Sequence, residues 1–172
     1  MSPRDAKASR TLKKGYGVGV NKTNAQVALL RAVEIPAKYH HFCVKMEWHK
    51  DTVSGFIRNR IPDIAWWQAW CECYLSDMWV ANLSIFDKAL FEATLKEGLV
   101  TQEQIPTIDW NGDNDLIVRK RWITEDKGTF PSLDDVFRKA QKEAQRPVVP
   151  AKLFGWFVRF PSNRYTGKIR KS

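Results

Sequence analysis

With 172 residues, 44% of them hydrophobic, the chain is long enough for one domain with its own core and too apolar for wholesale disorder. No apolar run is long enough to span a bilayer, and the N-terminal MSPRDAKASRTLKK lacks the apolar block of a secretory leader; three cysteines, an odd number, suit a reducing compartment rather than a disulfide framework, so an intracellular, cytoplasmic protein is expected, with an organellar address as the alternative that the basic, hydroxyl-bearing N-terminus leaves open. The net charge of +9 is unevenly placed: residues 1–22 hold six Lys/Arg against one acid and residues 138–172 hold ten against one, while the middle holds 12 against 17.

The spacing of Ala25, Ala28, Leu29 and Ala32 predicts a helix from Thr23, capped by Asn21 or Thr23 and stopped at Ile35-Pro36. KYHHFCVKMEW then alternates as a strand, with His40, Phe42, Val44 and Met46 on one face and His41, Cys43 and Lys45 on the other. A loop or short helix is expected through Pro62. The next strand, AWCECYL, puts Trp70, Glu72 and Tyr74 on one face and Cys71, Cys73 and Leu75 on the other. Ser76-Asp77 turns it into MWVANLSIF. A helix is predicted over 86–98, ending near Gly98, then turns at Asn111-Gly112 and Asp113-Asn114. SLDDVFRKAQKEAQR reads as a last helix, with Ser132 as N-cap and Asp135 at the third position after it. Pro147 and Pro150 set off a tail. The reading is thus a single domain over 1–145, followed by a basic aromatic extension over 146–172.

The order helix, strand, strand, turn, strand resembles the core of the transglutaminase-like (papain-like) superfamily, and the motifs add to the order. Bacterial and archaeal members carry a segment of the form G-x-C-x-x-K-A-x-L-L-x-A-L-L-R-A-x-G-I-P-A-R. Here GVGVNKTNAQVALLRAVEIPAKY aligns without a gap through Lys22, the ALLRA of 28–32 and the IPAK of 35–38, and Glu34 replaces the usual glycine. The family's H-A-W-x-E-V-Y-L strand, turn, W-V and terminal F-D are matched by QAWCECYLSDMWVANLSIFDKAL. The resemblance covers about residues 7–140 and implies an α+β fold, a central helix packed on an antiparallel sheet. Members usually have more chain before the helix, so a half-built cleft is expected here.

The family's chemistry needs a cysteine at the helix N-terminus, a histidine on a strand to take its proton, and a carboxylate to orient the imidazole. In register these positions are Gly19, Gln68 and Leu83, none of which can do that work. The expectation is a pseudoenzyme without catalytic residues, cofactor or metal. The alignment further implies that Gly19→Cys with Gln68→His and Leu83→Asp places three groups within reach of one another. Cys43, Cys71 and Cys73 fall in strands and read as core side chains; a zinc site built from them with a histidine is the sharper alternative, without the usual C-x-x-C spacing.

A fold kept without its chemistry suggests a structural or protein-binding component of a larger assembly. The tail supplies the contact residues: Phe154, Trp156, Phe157, Phe160 and Tyr165 interleaved with Lys152, Arg159, Arg164, Lys168, Arg170 and Lys171, types that anchor interfaces. Its alternation at WFVRF equally suits an extra strand on the chain's own sheet. The basic ends with aromatics offer a second reading, a nucleic-acid-binding module. A third, a cysteine-dependent amidase, protease or transglutaminase, requires another register or an altered triad.

Overall fold

The computed structural model describes residues 7–45, 47, 63–83, 86–98, 100–118 and 120–143. Helix α1 (Ala8–Lys14) ends on Gly15 at φ 69, whose N–H returns to Thr11 O, and its last turn carries Lys13 and Lys14 where the helix dipole favours cations. Helix α2 (Gly19–Ala32) follows. It begins four residues earlier than the apolar spacing predicts, because the Asn21 Oδ1 reaches back 3.2 Å to the Val18 N–H and satisfies a free donor of the first turn. Asn21 is therefore the third helical residue rather than the cap. Gly17 is required by close approach: a Cβ there would stand 2.7 Å from the Asn21 Cβ and 3.1 Å from Thr11 Cγ2.

At its other end α2 stops at Ala32, before the proline. Glu34 takes φ 63, and the Ile35 N–H bonds Leu30 O at 3.0 Å. The turn demands a left-handed residue, which explains the glycine that the resembling sequences place there. The buried face also differs from the expected one. Val20, Val27 and the half-buried Leu30 pack toward the sheet, whereas Leu29 is 52% exposed.

Strands β1 (Ala37–Lys45), β2 (Ile64–Leu75), β3 (Met78–Leu83), β4 (Leu116–Ile117) and β5 (Ile123–Phe130) form one sheet in the order β4-β3-β2-β1-β5. Every pairing is antiparallel except β3 with β4. Ser76 and Asp77, both at positive φ, join β2 to β3 in a two-residue turn closed by the Leu75–Met78 pair. Helix α3 (Lys88–Lys96) is capped by Asp87, whose carboxylate accepts from the Leu90 N–H at 2.9 Å. Helix α4 (Leu133–Glu143) starts as its sequence predicts: the Ser132 Oγ accepts from the Asp135 N–H and donates to the Asp135 carboxylate at 2.6 Å. Helix α1 and strand β5 have no counterpart among the elements that the sequence pattern predicts. The segment between Glu47 and Asp63 and the tail from Ala144 lie outside the described residues.

The sheet carries a core on each face. Val20 and Val27 of α2 and Leu133 and Val136 of α4 pack with Ala37, Tyr39, Ala69, Cys71, Cys73 and Val80. On the opposite face Phe42, Val44, Trp70, Ala81 and Leu83 meet Phe91 of α3 and Val100, Ile105 and Val118. Arg31 ties the first layer together, donating from Nε and Nη2 to Ala37 O at 2.9 and 2.7 Å and from Nη2 to Pro131 O at 2.8 Å.

Candidate functional site

The N-terminus of α2 is where a thiolate would stand if the helix served nucleophilic chemistry. The helix is fixed there by the Thr23 hydroxyl, which donates to Ala69 O on β2 at 2.9 Å. Its first residue is Gly19, preceded by Val18 and followed by Val20, so the helix start presents no nucleophilic side chain.

Alternation along the strands decides which residues face α2. Ala69, Cys71 and Cys73 pack in the core with Val20 and Val27, and Asn82, paired with Cys71, shares their face. Gln68 pairs with Phe42, and Leu83 packs with Phe42, Trp70 and Phe91; both belong to the sheet face turned away from α2. Leu83 is 2% exposed there. Gly19 thus opens α2, while Gln68 and Leu83 lie with the sheet face turned away from that helix. The two-residue period of a strand makes this facing sensitive to register: a one-residue difference moves every side chain to the other face.

All three cysteines of the chain are buried and free. Burial pushes the Cys43 thiol up to about 11. Burial, then the neighbouring Cys73 thiol, pushes Cys71 up to about 12, and burial raises Cys73 as well. A thiol so placed holds its proton at neutral pH and is a poor nucleophile. Among the described residues no group of three or more His, Cys, Asp or Glu side chains is arranged to hold a metal ion.

The adjacent histidines point to opposite faces, as the strand reading predicts, and their surroundings differ. On the α3 side, His40 lies between two carboxylates, its Nδ1 2.5 Å from Glu72 Oε1 of β2 and its Nε2 2.6 Å from Asp126 Oδ1 of β5. It stacks on Trp70 with ring centroids 4.1 Å apart. Carboxylates only accept, so both ring nitrogens donate and the ring is an imidazolium. Burial alone pulls the His40 pKa down, but the Glu72 and Asp126 hydrogen bonds and charges outweigh it and the net shift is upward. The Glu72 carboxyl is held below its usual range by the His40 hydrogen bond, against burial, with help from Lys38 at 3.3 Å. An imidazole bonded at both nitrogens has no lone pair free to act as a base.

His41 faces the other core. Its Nε2–H donates to Trp66 O at 2.6 Å, which leaves Nδ1 as a buried acceptor with no partner among the described residues. Burial pulls its pKa down, and this ring is neutral.

The Glu72 partnership of His40 follows from alternation and cross-strand register, and both residues sit on strands that the sequence predicts. Asp126 carried no such signal, because β5 was not anticipated. The tail residues Phe154, Trp156, Phe157, Arg159, Phe160, Arg164, Tyr165, Lys168, Arg170 and Lys171 lie outside the described residues.

The family model of the transglutaminase-like superfamily matches residues 1–82, which span α1, α2, β1, β2 and nearly all of β3. No curated protein and no solved structure matches the chain. The matched segment carries the helix and most of the strand motif that the resemblance rests on, and over residues 1–82 this chain is similar to the transglutaminase-like superfamily.

Proposed function

We propose that the chain is a non-catalytic transglutaminase-like protein, a structural or protein-binding component of a larger assembly. The observation that carries this reading is the placement of the thiols. Helix α2 opens on Gly19, while Cys43, Cys71 and Cys73 are buried in strands with pKa values raised by burial. Acyl transfer through a cysteine needs an accessible thiolate beside a base, and among the described residues neither accompanies this helix start. The aromatic and basic residues of the tail, Phe154 to Lys171, are the proposed contact set.

The test is labelling of the native protein with a thiol-directed probe at neutral pH, beside an amide-transfer assay. Slow labelling that becomes complete on unfolding, with no transfer, is the expected result. Rapid stoichiometric labelling of a single cysteine in the folded protein overturns the proposal.

The basic ends favour a second reading, contact with nucleic acid, since residues 144–172 hold seven Lys/Arg and no acid. Purification of the native protein in two halves, one treated with nuclease, separates the two. Protein partners that survive digestion support the first reading. Co-purifying nucleic acid, bound with a steep salt dependence, supports the second.

A further inference from the structure

The backbone ladder between β1 and β5 is irregular where His40 meets Asp126. Pairing runs Tyr39–Phe130 and His40–Thr129, then shifts to Phe42–Asp126 and Cys43–Glu125. Here Lys127 and Gly128 of β5 stand against the single His41 of β1, one residue in excess, and Gly128 takes φ 79, the geometry of a bulge. At this interruption a side-chain contact supplements the ladder: the imidazolium of His40 holds Asp126 by its Nε2–H and Glu72 by its Nδ1–H.

We propose that His40 is a pH-operated latch that fastens β5 to the rest of the sheet and lets the bulged part of β5 go when the ring loses its proton. Among the described residues the charged groups that meet it are Glu72 from β2 and Asp126 from β5, with Lys38 of β1 on the second oxygen of Glu72. These groups make the release one-sided. Glu72 is 15% exposed and keeps both Lys38 and the Trp70 indole N–H, so the Nδ1 side stays made. Asp126 is 64% exposed, and among the described residues its Oδ1 otherwise holds only the Gly128 N–H, 2.8 Å away within the same bulge. The proton therefore leaves from Nε2 to solvent. The lone pair it leaves behind faces a carboxylate, and the repulsion is relieved by Asp126 turning outward. The change reaches α4, because Lys127 beside Asp126 bridges Glu125 and Glu143 at 2.5 and 2.9 Å.

The test uses the full chain, with 15N-labelled histidine for ring NMR and hydrogen exchange of backbone amides between about pH 6 and pH 9, corrected for base-catalysed intrinsic exchange. The chain has three histidines, so His40→Asn assigns the signal. The expected result is a His40 midpoint above the ordinary 6.5 and a loss of protection across Ile123–Phe130 of about tenfold per unit of upward shift, while the β2–β3 amides hold. In Asp126→Asn, whose exposed side chain makes a fold defect unexpected, β2–β3 protection stays and the pH dependence of β5 disappears. A His40 midpoint at or below 6.5, β5 protection independent of pH, or an Asp126→Asn protein with the original dependence overturns the proposal.

Discussion

Leu83→Asp separates the two ways of placing β3. In the motif register this position should look into a cleft beside α2, where a carboxylate is welcome. In the structure Leu83 is 2% exposed and packed among Phe42, Trp70, Ala81 and Phe91. Losing its side chain there costs about 2–5 kcal/mol, the range for buried Leu→Ala. A carboxyl in the same place avoids ionisation by taking up a proton, and its unpaired polar atoms add about 1–3 kcal/mol. The total is comparable with the whole stability of many domains, about 5–15 kcal/mol. Urea denaturation of the wild type, Leu83→Ala and Leu83→Asp at pH 7 and at lower pH reads this out. Leu83→Asp should be the least stable, and its deficit relative to Leu83→Ala should shrink as pH falls toward the ordinary carboxyl range, where the unfolded chain takes up the same proton. A Leu83→Asp protein within about 0.5 kcal/mol of wild type, the usual effect at an open surface position, would refute the facing of β3 described here.

Two other substitutions test local features. Glu34→Gly should stabilise by about 1 kcal/mol in thermal or urea unfolding, because φ 63 strains a residue with a Cβ; a loss of stability would mean that the Glu34 side chain contributes more than the turn costs it. His41, with its pKa lowered by burial, contributes stability that is complete above its unfolded value of 6.5 and is lost as pH falls through its lower folded value. Stability should therefore decline on acidification by up to about 1.4 kcal/mol per pH unit in that window, and His41→Gln, which keeps a donor for Trp66 O, should flatten this slope; an unchanged slope would assign it to other groups.

The elements with a strong internal pattern were legible in the sequence. The faces of β2, the Ser76-Asp77 turn, the Ser132 cap and the opposed histidines follow from alternation and turn chemistry, and the structure has each of them. The start of α2 was misplaced because its cap is a backbone–side-chain bond from Asn21 inside the helix, where an apolar count has no signal. Strand β5 went unseen because ITEDKGTF is mostly polar and holds a glycine; it is a strand through pairing with β1. The candidate site was least legible of all. Motif register fixes which residues correspond, yet the face each one occupies depends on where α2 and α4 cover the sheet. Glu34 shows the converse: its departure from the motif pointed to a real backbone requirement.

Arg31 sets the limits of what can fold by itself. Its guanidinium bonds Ala37 O six residues on and Pro131 O one hundred residues on, at the loop that opens α4. Strand β1 is an interior strand only because β5 lies along its second edge, and Val27, Tyr39 and Cys71 are dry in part because Leu133 and Val136 join them. The stretch that matches the superfamily ends at residue 82, before any of these late elements. Cut out as a fragment, it would present a bare strand edge and an uncovered apolar layer, a template for aggregation. The matched stretch is shorter than the packed unit in this chain, and a fragment for binding studies has to extend at least through Glu143 to keep the first half covered.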